Sequence, residues 1–333
     1  MSPNLKDIGF YTLSDERVIN LIDSNGKSPL QRCEMLITDA CNFKCPYCRG
    51  CAEEFRGTMK AARAFDTLHH WVNEGLKNVR FSGGEPTLHP QLVEMVKFCK
   101  MNGVQRIAIS TNGSAPRATY DRLLEAGVND FSISLDACCA EKGDEMAGGV
   151  KGAWDVVVDN IRYLSTKTYV TVGVVLTDSN VAEMVDTVKF AHSLGVADIR
   201  IISAAQDNKP LVDAINIPQE ILDAHPILAY RVANIKANRN VRGIKPTDSY
   251  SCGLVLDDMA VLGDKHFPCI IYLRESGKPI GTVGPHMRAE RREWYFSHDT
   301  HADPICRKNC LDVCVDHNNK VEQKILDNYQ GLV

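Results

Sequence analysis

Between Arg32 and Ile202 the chain repeats one unit: a short apolar run of strand type, then a stretch with helical spacing of apolar residues. The strand-type runs are Arg32 to Thr38, Asn78 to Phe81, Arg106 to Ser110, Asp130 to Leu135, Tyr169 to Leu176 and Asp198 to Ile202. Helical patterns cover Met59 to Glu74 with Thr58 as N-cap, His89 to Met101, Arg117 to Ala126, Ala153 to Leu164 and Val181 to Leu194. Strands that alternate with helices of this length are joined by right-handed crossovers and lie parallel. The expected class is therefore α/β with a parallel sheet. In such folds the loops at the C-terminal strand ends carry the chemistry.

Those ends hold the chemically informative segments. After the first strand stands Cys41-Asn42-Phe43-Lys44-Cys45-Pro46-Tyr47-Cys48. Three thiolates in one loop can wrap an iron–sulfur cube and leave its fourth iron without a protein ligand. Zinc is the rival, with Cys51 available to complete a tetrad. After the second strand comes Phe81-Ser82-Gly83-Gly84-Glu85-Pro86. Its glycines let the backbone approach a ligand closely, Glu85 offers a carboxylate and Pro86 stiffens the exit. A zinc ribbon needs no such element. Ser110-Thr111-Asn112-Gly113 ends the third strand, and Ser132-Ile133-Ser134-Leu135-Asp136 runs along the fourth. Gly148-Gly149-Val150-Lys151-Gly152 lacks the ending of a phosphate loop and follows no strand directly, so it reads as a flexible helix entrance.

In this order, and at about these intervals, the four segments resemble the radical S-adenosylmethionine (SAM) superfamily over roughly residues 32–205. The resemblance implies a partial (β/α)6 parallel barrel. It implies a [4Fe-4S] cluster on Cys41, Cys45 and Cys48, with SAM chelating the open iron. Gly83, Gly84 and Glu85 would receive the methionine amino group, and Tyr47 would lie near adenine. Ser110, Thr111 and Asn112 would contact ribose or carboxylate, and Ser134 and Asp136 would form another polar wall. Some relatives carry a basic residue on the fifth strand that meets the SAM carboxylate. Tyr169 to Val175 offers none, and Arg200 on the sixth strand either substitutes for it or faces the helix layer. The implied redox partner is an electron donor of the flavodoxin or ferredoxin type.

After Pro246 the helical periodicity fades and five cysteines appear. Cys252 and Cys269 flank a hairpin-like stretch containing Gly263-Asp264, and Cys306, Cys310 and Cys314 follow. Tetrathiolate zinc and a [4Fe-4S] cube are both served by such a set. The layout resembles the Twitch and SPASM extensions of radical SAM enzymes. Five cysteines are too few for the two clusters of a SPASM extension, so one auxiliary [4Fe-4S] cluster is expected. Its expected ligands are Cys252, Cys269, Cys306 and either Cys310 or Cys314, with Cys310 nearer Cys306. The expected division is an N-terminal extension over 1–30, a partial barrel over 31–245 and an auxiliary-cluster domain over 246–333. Cys33, Cys99, Cys138 and Cys139 read as small buried fillers.

The chain's 333 residues, 44% of them hydrophobic, suffice for one large domain and a smaller appendage. A net charge of −4 gives no nucleic-acid footprint, and Arg288, Arg291 and Arg292 read as a solvated helix face. No apolar run approaches the ~20 residues of a membrane span, and the first residues lack the features of a signal peptide. A cytoplasmic protein with no membrane partner is expected, and there thirteen cysteines point to metal. The expected function is radical oxidation or rearrangement of a small polar molecule: a sugar, cyclitol or nucleotide. The residues ahead of Arg32 are too few for the leader-binding module that peptide-modifying relatives often carry. The terminal Gly331-Leu332-Val333 differs from the Gly-Gly tail of the molybdenum-cofactor cyclase. A peptide-modifying enzyme and an iron–sulfur electron-transfer protein are the alternatives.

Overall fold

The computed structural model describes residues 31–50 and 57–330. The N-terminal extension and Cys51 lie outside the described residues. Six parallel strands run β1 (Arg32–Thr38), β2 (Asn78–Gly83), β3 (Arg106–Thr111), β4 (Asp130–Ser134), β5 (Tyr169–Leu176) and β6 (Asp198–Ser203). Between them lie α1 (Ala61–Asn73), α2 (Leu92–Met101), α3 (Arg117–Ala126), α4 (Ala140–Met146), α5 (Ala153–Ser165) and α6 (Met184–Ser193). Helices α7 (Gln219–Ala224) and α8 (Pro226–Lys236) follow. The C-terminal part holds β7 (Asp258–Leu262), β8 (Lys265–Phe267), α9 (Ile270–Arg274), β9 (Gly281–Thr282), α10 (Met287–Ser297), α11 (Pro304–Asn309) and α12 (Asp312–Gln330).

Among the described residues the strands form one sheet in the order β6-β5-β4-β3-β2-β1-β7-β8-β9. Consecutive parallel neighbours from β1 to β6 make the partial barrel. β7 adds to the free side of β1, parallel to it, and β8 and β9 continue antiparallel. The Gly263-Asp264 turn joins β7 to β8, as the sequence indicated, with Gly263 at φ 63.

Side chains alternate across each strand, and this decides the two faces of the sheet. Met35, Phe81, Ile109, Ile133, Val172 and Ile201 point outward into one core with Leu68, Trp71, Val96, Leu123 and Ile161 of the helices. Each fully buried side chain of this size contributes about 1.5–3 kcal/mol. The inner face is different. Glu34, Arg80, Ser132, Thr171 and Arg200 occupy its register positions. Parallel strands covered on both faces usually read as continuous apolar runs, so this polar inner face is a departure.

Several expectations change in detail. Helix α1 starts at Ala61 with Lys60 at its N-cap. Thr58 instead pairs with Thr38, hydroxyl to hydroxyl at 2.8 Å, and so ties the chain back to β1. Arg291 is fully buried, because α10 packs onto the turn at Gly253–Leu256 and onto β9. It donates to the carbonyls of Val255, Asp258, Phe267 and Pro268. Arg288 pairs with Glu74, so of the three arginines only Arg292 is a solvated residue. Cys33 and Cys99 are the buried fillers expected, but Cys139 is exposed at the N-cap of α4, where no apolar layer covers it, and Cys138 is partly exposed. No helix among the described residues is long and apolar enough to cross a membrane.

Candidate functional site

The cysteine loop leaves β1 at Thr38 and is held by backbone bonds. Asp39 N donates to Gly57 O at 3.1 Å, Cys48 N to Cys45 O at 3.0 Å and Lys44 N to Ala147 O at 3.1 Å. Gln206, just past β6, donates to Tyr47 O at 2.8 Å. The glycine turn after β2 lies directly against this loop. Gly84 N donates to Thr38 O at 2.7 Å and Glu85 N to Ala40 O at 2.8 Å. A Cβ on Gly84 would sit 2.3 Å from Ala40 O, and one on Gly83 would sit 2.1 Å from Thr38 O. The glycines therefore serve to bring two loops together.

Glu85 is 1% exposed. One oxygen accepts from Thr87 N at 3.1 Å, Thr87 Oγ1 at 2.6 Å and Thr111 Oγ1 at 2.8 Å; the other accepts from Asn112 N at 2.7 Å. Burial raises its pKa against the pull of these bonds. Three of these donors converge on one oxygen and one reaches the other, so Glu85 braces the ends of β2 and β3. Thr111 is buried with it. Ser110 sits one residue earlier, at a partly buried position.

Asn112 reaches over the cysteine loop. Its Nδ2 donates to Asn42 Oδ1 at 2.8 Å and lies 3.9 Å from Cys41 Sγ. Asp136, beyond the end of β4, accepts from the Tyr47 hydroxyl and from Val175 N, each at 2.6 Å. Burial pushes the Asp136 carboxyl up to about 6. Cys45, Tyr47, Asn112, Ser134, Asp136 and Trp154 line one cleft. Burial also raises the thiols of Cys41 and Cys45, the latter to about 12. A bound metal reverses that preference through its own charge. The glycine run before α5 is pinned beneath this site. A Cβ on Gly148 would lie 2.6 Å from Lys44 O, and Gly152 N donates to the Asp144 carboxylate at 2.6 Å.

The five C-terminal cysteines converge although 62 positions separate Cys252 from Cys314. Cys252, Cys269, Cys306, Cys310 and Cys314 all line one largely apolar cavity, with Tyr272 and Trp294 in its wall. Cys269 caps α9 and accepts from Tyr272 N at 3.4 Å. Cys306 lies in α11, Cys310 is its extended C-cap and Cys314 opens α12, so a break between two helices turns all three inward. A bond to Cys314, then burial, raises the Cys310 thiol; burial raises that of Cys252 to about 11.

Two residues at these sites escaped the sequence reading. His298 Nε2 lies 3.7 Å from Cys306 Sγ and 3.6 Å from Asp303. Arg274, at the end of α9, donates to Gly50 O at 2.9 Å and Gly83 O at 2.7 Å, joining the C-terminal part to both loops of the cleft. Neither lies in a spacing pattern that could have marked it. Arg200 faces the inside of the barrel, its Nη2 3.3 Å from Ser132 Oγ, and does not line the cleft.

Residues 35–191 match the family described as Radical SAM superfamily. A "Probable GTP 3',8-cyclase" of Metallosphaera sedula is 30% identical over 186 residues, covering 55% of this chain and 58% of that protein. The GTP 3',8-cyclase of Aquifex aeolicus is 27% identical over 176 residues, covering 50% and 55%. The matched stretch thus spans just over half the length of these relatives. Among solved structures, Streptococcus suis SuiB bound to precursor peptide SuiA superposes with TM-score 0.60 at 15% identity, over 87% of this chain and 69% of that one. Polyhistidine-tagged anSMEcpe with bound AdoMet gives 0.62 at 14%, over 90% and 95%. At such identities the likeness is one of fold. Family match and fold agree, and residues 35–191 form a radical SAM domain.

Proposed function

We propose that this protein is a radical SAM enzyme acting on a small polar molecule, with an auxiliary [4Fe-4S] cluster in residues 246–333. The observation that carries the reading is the docking of the three-cysteine loop onto the Gly83-Gly84 turn at the C-terminal strand ends. Cys41, Cys45 and Cys48 would hold a [4Fe-4S] cluster.

When bound, the cluster and SAM together supply a carbon radical able to take hydrogen from an unactivated substrate carbon. The chain's own residues orient and enclose. Gly83 and Gly84 give a backbone edge for the methionine end, with Glu85 holding that edge in place from behind. Asn112, Ser134 and the Tyr47–Asp136 pair form the polar wall of the cleft. Trp154 closes its apolar side and limits water. The five C-terminal thiols offer a full ligand set to a second cube, from Cys252, Cys269, Cys306 and either Cys310 or Cys314. Full ligation favours electron acceptance over substrate binding at that cluster. The curated relatives are named as cyclases of GTP, which supports a small substrate of nucleotide type. SuiB, solved with a precursor peptide, shares the fold alone.

Anaerobic reconstitution tests this. Two cubes bring about eight irons per chain, one brings about four. After dithionite reduction, the electron paramagnetic resonance signal should change on adding SAM. A signal indifferent to SAM, or a colourless zinc-loaded protein, contradicts the reading.

A further inference from the structure

Beside the C-terminal cavity stands a polar group that the expected thiol ligands leave unused. His298, Asp303 and Cys306 bring Nε2, a carboxylate oxygen and Sγ within 4.8 Å of one another, the one such group of three potential ligands among the described residues. His298 Nε2 lies 3.7 Å from Cys306 Sγ and 3.6 Å from Asp303 Oδ2. Asp303 has its own task as N-cap of α11. Its Oδ1 accepts from Ile305 N at 2.7 Å and Cys306 N at 3.0 Å, and its Oδ2 accepts from the Tyr272 hydroxyl at 2.9 Å.

The imidazole is held firmly. His298 N donates to Trp294 O at 2.9 Å at the end of α10. Its ring stacks on Trp294 with centroids 3.8 Å apart, and the Tyr272 ring meets it edge-on at 6.2 Å. Cys306, Tyr272 and Trp294 line the cavity, and His298 is not part of that lining. The ring therefore reaches the Cys306 sulfur from outside the cavity, where it serves the ligand rather than the metal.

The chemistry of its neighbours sets the direction of the contact. A thiolate bound to iron carries no proton and only accepts, and a carboxylate only accepts as well. Nε2 faces both, so it is the nitrogen that bears the proton, the tautomer being set by its partners. An N–H aimed at a cluster sulfur favours the reduced state, because an added electron makes the cluster and its thiolates more negative. Cys269 shows the same kind of contact at this cavity, accepting from Tyr272 N at 3.4 Å. Tyr272 thus steadies both, one through its amide and the other through its hydroxyl on Asp303.

We propose that His298 donates an Nε2–H hydrogen bond to the Cys306 sulfur and so holds the C-terminal cluster at a higher reduction potential, which makes that cluster the better acceptor of an electron. This rests on the auxiliary [4Fe-4S] cluster proposed above, with Cys306 among its ligands. His298 is a positioning residue, touching a ligand and not the iron.

The test measures that cluster alone. Full-length protein carrying Cys41→Ala, Cys45→Ala and Cys48→Ala is reconstituted anaerobically, its iron counted, and its midpoint potential followed by electron paramagnetic resonance during a redox titration. About four irons per chain are expected. His298→Phe keeps an aromatic ring on Trp294 but has no donor. It should make the cluster about tenfold harder to reduce, a lowering of about 59 mV for one electron. His298→Gln restores a donor and should recover most of that shift. A potential unchanged in the phenylalanine variant, or not recovered by glutamine, overturns the proposal. So does loss of the iron from a folded phenylalanine variant, which would make the histidine a metal ligand. Should that variant fail to fold by circular dichroism, pulsed electron paramagnetic resonance on the parent protein with isotopically labelled histidine decides. Weak coupling to a histidine nitrogen supports the hydrogen bond; no coupling, or the strong coupling of a nitrogen bound to iron, overturns it. Absence of iron from the parent protein contradicts the auxiliary cluster itself, and this inference falls with it. A cluster that is present but insensitive to His298 removes the hydrogen bond alone.

Discussion

At Gly84 the backbone of one loop rests on another so closely that a methyl group has no room. The added carbon would lie 2.3 Å from Ala40 O and 2.5 Å from Asp39 O, both rigid backbone atoms. Gly84→Ala must therefore push the cysteine loop off its seat. The expected cost is about 1–3 kcal/mol, with iron content below that of wild type. Thermal unfolding and iron analysis check this, and wild-type values for both would show that the loops are not interlocked. The glycines, Glu85 and the cysteines were all legible in the sequence as chemistry. Their mutual bracing was not. Which atom of Glu85 meets Thr111, 26 positions away, depends on strand register, and no local spacing encodes it.

Among elements, the six β/α units were readable because their outer faces alternate cleanly against amphipathic helices. The C-terminal helices were hidden by polar composition. Among the described side chains of α12 the buried apolar residues are Val313, Val315 and Val321, too sparse a stripe to register as helical. What holds that region is polar. Arg291 on α10 gathers four carbonyls from the segment that leads into Cys269. Arg291→Leu would leave these acceptors buried and unpaired, at an expected cost of about 3 kcal/mol or more, with loss of iron from the C-terminal site. Chemical denaturation with iron counting tests it, and an unchanged midpoint would contradict it. The tie between β6 and α8 makes a pH prediction. Asp198 accepts from Ile227 N at the start of α8, and burial pushes its carboxyl up to about 6, above its unfolded value near 3.9. The folded state then holds this proton more tightly than the unfolded one. Its contribution is complete below about pH 4 and is lost as pH rises through about 6. Urea unfolding between these limits should show stability falling less steeply with pH in Asp198→Asn than in wild type. Equal slopes would remove Asp198 as the source.

For the molecule as a whole, a single sheet carries both candidate metal sites. β1 delivers the cysteine loop and pairs on its other side with β7, which begins the C-terminal strands. Arg274 closes the link by donating to Gly50 O and Gly83 O, and Arg49 pairs with Glu275 alongside. The loops that flank the cleft are thus tied down by residues more than 200 positions away from its first cysteine. Sequence order gave the presence of a second cysteine group but not this closure, which depends on where β7 joins the sheet. The most direct measurement is 5′-deoxyadenosine formation under anaerobic conditions, with iron-loaded protein, dithionite and SAM. Wild type should produce it, and Cys45→Ala, which leaves two thiolates where the cube needs three, should produce none. Production by the variant, or none from iron-replete wild type, would contradict the account.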